Sequence, residues 1–278
     1  MVLPPSSAPD AARNVRVAAV QMVSTPRVDE NLKTAARLIG EAVARGATLV
    51  ALPEYFPIMG LKESDKFQVR EANGDGPLQA FLAETARQLG IWLVGGSIPL
   101  VAGTPDKVLN TCLVFNPQGE RVARYDKIHL FGFQNGKERY DESASIEAGR
   151  QPVAFDTPFG RVGLSICYDL RFPELYRALG VTDLLVIPAA FTETTGRAHW
   201  EILMRARAIE NQCYVLAVAQ GGKHENGRET HGNSMLIDPW GVVIDRLDKG
   251  EGVVIGEVDP ARIAEVRASL PALKHRVM

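Results

Sequence analysis

Three side chains of complementary chemistry stand where strands are expected to end. Glu54 follows Leu52-Pro53, Lys127 follows Tyr125-Asp126, and Cys167 follows Leu164-Ser165-Ile166. Taken singly, none of them argues for a site: a lone cysteine is most often a small buried hydrophobe, and a lone glutamate or lysine is most often solvated. Their shared placement carries the argument, because ligands of open α/β sheets bind just beyond the carboxyl ends of strands. A base, a cation and a nucleophile gathered there can perform acyl transfer. A thiol needs a base or a neighbouring cation to become a thiolate. Glu54 can take the proton, and Lys127 can stabilise first the thiolate and then the oxyanion of a tetrahedral intermediate. The N–H of Tyr168, or the short helix opening near Phe172-Pro173, is the candidate second oxyanion donor.

Rival motifs do not complete themselves. Gly163-Leu164-Ser165-Ile166-Cys167 has Cys167 where a serine nucleophile elbow needs its last glycine. His224-Glu225 lacks the second histidine of a metalloprotease helix, Gly132 to Lys137 is one residue short of a phosphate loop, and Gly74-Asp75-Gly76 is not a dinucleotide fingerprint. No metal and no cofactor is expected. Cys112 and Cys213 fall inside apolar strand patterns and are read as core. His129, two residues after Lys127, leaves a Cys–His dyad open, although a structural histidine is the commoner outcome.

The elements that must position these residues follow from periodicity. Val15 to Met22 reads as a buried strand, Val28 to Arg45 as an amphipathic helix closed by Gly46, and Thr48 to Leu52 as a second strand. A helix over Leu78–Leu89 and a strand over Ile91–Ile98 continue the rhythm. Asn110–Phe115 and Arg121–Tyr125 form a hairpin around Asn116-Pro117-Gln118-Gly119. A long polar and aromatic loop is expected from Lys127 to about Arg150. The second half repeats the pattern: strands at Val162–Ile166, Asp183–Pro188 and Cys213–Ala219 alternate with helices at Pro173–Leu179 and Gly196–Asn211. A second hairpin, Ser234–Ile237 with Val242–Asp245, leads to a strand at Val253–Val258 and a last helix at Pro260–Ala268. We therefore expect an α/β fold with two similar halves: a loose tail over residues 1–14 and one domain over 15–278, with a C-terminal tail from about 260.

The 278 residues carry 31 Lys+Arg against 33 Asp+Glu, a formal charge of -2. That balance argues against nucleic acid or a polybasic membrane anchor as a partner. No apolar run approaches the roughly 18 residues a membrane helix requires. Three widely spaced cysteines cannot make a disulfide framework, so a cytoplasmic location is expected.

Three blocks then carry a resemblance: Leu52-Pro53-Glu54-Tyr55, Tyr125-Asp126-Lys127-Ile128-His129-Leu130-Phe131, and Ser165 through Tyr176. In this order they resemble the signature blocks of the nitrilase superfamily of carbon–nitrogen hydrolases, over about Val15 to Pro260. The resemblance implies a four-layer α-β-β-α sandwich with pseudo-twofold halves, paired through an outer helical face as a homodimer or higher homo-oligomer. It implies Glu54 as general base, Lys127 as stabiliser of the tetrahedral intermediate and Cys167 as the nucleophile that forms a thioester. A second glutamate is implied after the lysine: Glu142, with Glu138 as its rival by spacing.

Cys167-Tyr168-Asp169 is similar to the amidase-like branches rather than to true nitrilases. Pro188 to Thr192, Ala198 to Glu201, Arg205 to Asn211 and Asp238-Pro239-Trp240-Gly241 resemble the Nit group. That group contains deaminated glutathione amidases and ω-amidases. Arg197 stands where the deaminated glutathione branch is expected to have proline. The implied activity is hydrolysis of a non-peptide amide of a small carboxylate, with ω-amidase, N-carbamoyl or aliphatic amide hydrolysis, and a non-catalytic scaffold as alternatives. A carboxylate substrate needs a cation, and Arg171 is the candidate, against an ion pair with Glu174 or Asp169. Phe131, His129, Phe191 and Thr192 are the candidate pocket residues. Trp200 is expected in the core, and Glu201 either supports Lys127 or the nucleophile or is an exposed helix residue.

Overall fold

The computed structural model describes residues 14–136 and 138–277; most of the expected N-terminal tail lies outside them. In the first half, β1 (Val15–Gln21), α1 (Val28–Ala44), β2 (Leu49–Ala51), α2 (Pro77–Leu89) and β3 (Trp92–Val94) alternate. After β4 (Ile98–Val101), β5 (Val108–Phe115) and β6 (Arg121–Asp126), a small ribbon forms from β7 (Gly132–Gln134) and β8 (Arg139–Asp141). The second half runs β9 (Ala154–Thr157), β10 (Gly160–Leu164), α3 (Pro173–Ala178), β11 (Leu184–Ala189), α4 (Glu193–Asn211) and β12 (Tyr214–Ala219). It ends with β13 (Ser234–Ile237), β14 (Val243–Leu247), β15 (Gly252–Val258) and α5 (Pro260–Ser269).

Two sheets result. The first has the order β15-β1-β2-β3-β5-β4, with β6 also on β5; the second has the order β14-β13-β12-β11-β10-β9. Each contains three neighbouring parallel strands joined by helices, β1-β2-β3 and β10-β11-β12. These are the two similar halves expected from the sequence. β15 returns to pair antiparallel with β1, from Val15 opposite Val258 to Gln21 opposite Gly252.

Period-two alternation sorts the strand residues into layers. Val17, Ala19, Leu49 and Ala51 join the core that also holds Val186 and Leu216 of the second sheet. Their neighbours Ala18, Val20, Val50 and Leu52 turn the other way and pack with Leu38 and Ile39 of α1 and Leu82 of α2. Tyr176 of α3 and Trp200 and Met204 of α4 cover the second sheet. The order helix, sheet, sheet, helix is the expected four-layer α-β-β-α sandwich. At about 1.5–3 kcal/mol for each large apolar side chain removed from water, these layers are the main source of stability. Trp200 is fully buried and donates its indole N–H to the Asn233 carbonyl at 2.7 Å.

Three elements differ from expectation. The single strand over Ile91–Ile98 is two strands, because Gly95-Gly96 breaks it; Gly96 has φ +56, and a Cβ there would stand 2.2 Å from the Pro53 carbonyl oxygen. The long loop after Lys127 contains the β7–β8 ribbon, too short and too polar to show a period. α4 begins three residues early because Thr192 caps it, its hydroxyl accepting the Thr195 N–H at 3.3 Å. The helix expected at the start of the C-terminal tail is α5, where Ile263 and Val266 are buried and the Arg267 guanidinium reaches Asp183 and the Thr182 carbonyl.

Candidate active site

Glu54 leaves the end of β2, Lys127 the end of β6, and Cys167 the turn after β10. Lys127 meets Glu54 and Glu142 in one buried cluster, and Cys167 shares a small cavity with Glu142. The Lys127 ammonium donates to Glu54 at 2.9 Å and to Glu142 at 2.8 and 3.0 Å. Lys127 and Glu54 are essentially without solvent contact, at 0% and 1% exposure, so their charges survive only because they are paired and hydrogen-bonded. Glu54 also accepts the Asn110 side-chain amide and the Ala190 backbone N–H, each at 2.9 Å. Glu142 accepts the Tyr55 hydroxyl at 2.9 Å and the Phe131 N–H at 2.7 Å.

These contacts set the charge states. Burial works against the Lys127 ammonium, but Glu142 and Glu54 outweigh it and hold its pKa above the ordinary lysine value. Burial acts on Glu142 in the opposite sense to Lys127, whose charge and hydrogen bond win and keep this carboxyl below its ordinary range. Burial first, then the negative charge of Glu54, pushes the Cys167 thiol well up, with Lys127 pulling the other way. These directions favour a protonated thiol beside the Lys127 ammonium and the Glu142 carboxylate, with Glu54 accepting from Lys127.

Cys167 has φ +52, a left-handed conformation that costs a non-glycine residue energy and needs support. Asp169 supplies it. Its carboxylate accepts the Ile166 N–H at 2.9 Å, the Tyr125 hydroxyl at 2.6 Å, and both the backbone N–H and the ring Nδ1–H of His129, at 2.9 and 2.7 Å. One buried carboxylate thus ties the nucleophile turn to the two residues flanking Lys127 at a distance of two. Tyr55, beside Glu54, has φ +56 and is fixed by Ser97, whose hydroxyl accepts its N–H at 3.0 Å.

The remaining expected residues sort clearly. Phe131, Tyr168, Arg171, Phe191 and Thr192 line a small cavity that reaches Cys167 and Glu142. Arg171 does not pair with Glu174 or Asp169; it lies over the rings of Phe191 and Tyr168 at 5.3 and 5.6 Å and contacts His199 Nδ1 at 3.2 Å. His129 is not brought to the cavity: besides bonding Asp169 it stacks on Phe172 at 3.7 Å. Of the two candidate glutamates, Glu142 meets Lys127, whereas Glu138 accepts from Thr194 at 2.7 Å. Glu201 supports neither Lys127 nor the nucleophile; it pairs with Arg205 and Arg246. Cys112 and Cys213 are buried and free, as expected of core residues.

Sequence reasoning missed Tyr55, Asn110, Asp169, the Ala190 amide and Arg228. Tyr55 and Asp169 sit inside the signature blocks and were within reach of a closer reading. Arg228, whose guanidinium donates to the Ala190 carbonyl at 3.0 Å, lies in a loop with no local signal. Among the described residues, no cluster of three or more His, Cys, Asp or Glu could hold a metal, and no helix is long and apolar enough to cross a membrane.

Comparison with known proteins finds relatives over nearly the whole chain. The carbon–nitrogen hydrolase family signature matches residues 16–268. A deaminated glutathione amidase of Synechocystis is 45% identical over 267 residues, 94% of this chain and 97% of that protein. Omega-amidase NIT2 of Xenopus tropicalis is 39% identical over 94% of each chain. The crystal structure of the C. elegans NitFhit protein superposes with a TM-score of 0.86 at 38% identity, covering 96% of this chain and 66% of that one.

Proposed function

The chain belongs to the carbon–nitrogen hydrolase family, a hydrolase of carbon–nitrogen bonds other than peptide bonds, and we propose that its substrate is deaminated glutathione. The observation that carries the reading is the buried Glu54–Lys127–Glu142 cluster set against the Cys167 turn. In the proposed mechanism Glu54 takes the thiol proton while sulfur attacks the amide carbon. Lys127 and the Tyr168 N–H meet the oxyanion. As the intermediate collapses, the C–N bond breaks and Glu54 returns its proton to the departing amine, leaving a thioester on Cys167. Glu54 then activates water, which releases the carboxylic acid and restores the thiol. Glu142 holds the Lys127 ammonium in place.

Arg171 is the cation we assign to the substrate carboxylate. It lines the cavity and is free of any carboxylate partner among the described residues, so its guanidinium can form a bidentate pair. Phe131, Phe191 and Thr192 shape the walls. ω-Amidase activity on α-ketoglutaramate is the second reading, favoured by the frog relative. It shares the α-keto acid half, so Arg171 serves either substrate.

We also propose that two copies pair through the outer face of α4. Ile202 and Ile209 on that helix, with Trp240, Val242 and Ile244 beside it, are 46–70% exposed. Three separate, buried, unbridged cysteines support a cytoplasmic location.

The test is turnover of a panel holding deaminated glutathione, α-ketoglutaramate and N-carbamoyl amino acids, with mass spectrometry of the quenched enzyme. An acyl adduct on Cys167 and preference for deaminated glutathione are expected. Undiminished turnover by Cys167→Ala would overturn the mechanism, and preference for an N-carbamoyl substrate would overturn the assignment.

A further inference from the structure

Arg171 is a long, half-buried side chain in the wall of the cavity that reaches Cys167. It can receive a carboxylate only if its guanidinium is held over that cavity rather than turned to solvent. Its root is fixed. Arg171 closes the turn that begins at Cys167, and the Leu170 carbonyl just before it accepts twice from the Arg207 guanidinium of α4, at 2.9 and 2.7 Å. Arg207 is itself buried and paired with Glu210 at 2.6 Å.

The tip is held differently. The Phe191 and Tyr168 rings beneath it attract the cation without fixing where its N–H groups point. Its one hydrogen bond among the described residues runs to His199 Nδ1, at 3.2 Å. An arginine can only donate, so Nδ1 accepts and the ring carries its proton on Nε2. The type of partner matters. A carboxylate in this place would orient the guanidinium but also neutralise it, and a substrate carboxylate would have to displace it. An uncharged ring nitrogen orients one N–H and leaves the positive charge and the other donors for the substrate. His199 reaches the guanidinium because α4 runs from the buried wall of the cavity to its exposed rim. Thr192 and Thr195 line the wall, and His199 follows one turn later on the same face.

We propose that His199 is a positioning residue for acyl-half specificity: it holds the Arg171 guanidinium in the orientation that receives the carboxylate beside the substrate's keto group. The proposal rests on the Arg171 assignment above and deepens it. α4 then grips Arg171 at both ends, its root through Arg207 and its tip through His199.

The test compares deaminated glutathione with an analogue in which a methyl group replaces the carboxylate beside the keto group. The ratio of their kcat/KM values reads carboxylate recognition alone, because both carry the same amine. His199→Ala removes the acceptor at an exposed helix position that alanine favours, so the thermal midpoint should hold. We expect it to lower the ratio by about threefold to tenfold, the range of one hydrogen bond. The loss should appear in KM for the keto acid rather than in kcat, with the kinetics of the methyl analogue unchanged. His199→Asn, whose Oδ1 stands near the place of Nδ1, should restore most of the ratio. Arg171→Gln should bring it close to one. A ratio untouched by His199→Ala, or lost equally in His199→Ala and His199→Asn, would overturn the positioning role while leaving the Arg171 assignment intact. A ratio that survives Arg171→Gln would overturn that assignment and the positioning role with it.

Discussion

Chemistry at the residue scale depends on the buried pairing of Lys127 with Glu142 and Glu54. Glu142 is held below its ordinary value of 4.5, so its contribution to stability is present above that pH and is lost as pH falls through the lower folded-state value. Lys127 is held above its ordinary value of 10.5, so its contribution is present below that pH and is lost only as pH rises beyond it. Thermal denaturation midpoints should therefore be flat between about pH 5 and pH 10 as far as Glu142 and Lys127 are concerned. Glu142→Gln should flatten the acid limb, visible as a smaller drop in midpoint between pH 5 and pH 3 than in the wild type. Glu54→Gln tests a different property of the same cluster. The amide keeps the shape but cannot accept the thiol proton, and kcat should fall by about 10²–10⁴ with little change in KM. A loss of less than tenfold, measured on the substrate the wild type prefers, would remove Glu54 from the proton-transfer role. These residues were legible in the sequence because each stands at a strand end inside a local block. Arg228 was not legible, since nothing near it in sequence says that its loop folds back over β11.

Element ends, rather than element interiors, place the site. β2, β6, β10 and β11 deliver Glu54, Lys127, Cys167 and the Ala190 amide to one point, and turns in the left-handed conformation at Tyr55 and Cys167 aim the side chains. Helices could be read from periodicity because each buries one face, and the parallel strands from short apolar runs because they are buried on both. The β7–β8 ribbon could not, since its residues are half-exposed and its shape follows from the Glu142 and Phe131 contacts it closes over. Asp169 makes the joint between elements testable. Asp169→Asn keeps the volume but replaces one acceptor oxygen by a donor facing groups that already donate. We expect about 2–4 kcal/mol of destabilisation from the broken buried network, read by denaturant unfolding, with kcat reduced even at temperatures where the variant is fully folded. A folded variant with wild-type kcat would reduce Asp169 to a purely structural role. Gly96 makes the same point in backbone terms. Gly96→Ala puts a methyl group 2.2 Å from the Pro53 carbonyl, one residue before Glu54, in a turn that already needs positive φ. It should cost more than the roughly 1 kcal/mol of an unhindered left-handed alanine and displace Glu54. Full retention of both midpoint and activity would show that the turn can relax without moving the base.

For the whole molecule, the deciding quantity is where its apolar surface remains uncovered. Each layer packs on its neighbour, yet the solvent face of α4 keeps Ile202, 70% exposed, and Ile209, 48% exposed, on one stripe seven residues apart. The stripe continues into the turn after β13, because Gly241 lies against Ile209 and its carbonyl accepts from Arg205 at 2.8 Å. Trp240, Val242 and Ile244 extend it, and Glu201 with its partners Arg205 and Arg246 forms a charged rim. An apolar centre with a polar rim is the anatomy of a protein interface, and a twofold pairing of α4 against its copy meets the same patch on both sides. α4 also starts at Thr192 in the inner cavity wall, so a partner that braces its outer face braces the substrate wall through one rigid helix. Ile202→Glu together with Trp240→Glu should convert a dimer to a monomer in light scattering after size exclusion. It should also raise KM more than it lowers kcat, because Thr192 and Phe191 shift while the Glu54–Lys127–Cys167 group, held by strands, does not. A wild-type protein that is monomeric at micromolar concentration would refute the pairing. A monomeric variant with unchanged KM would refute only the link between the interface and the pocket.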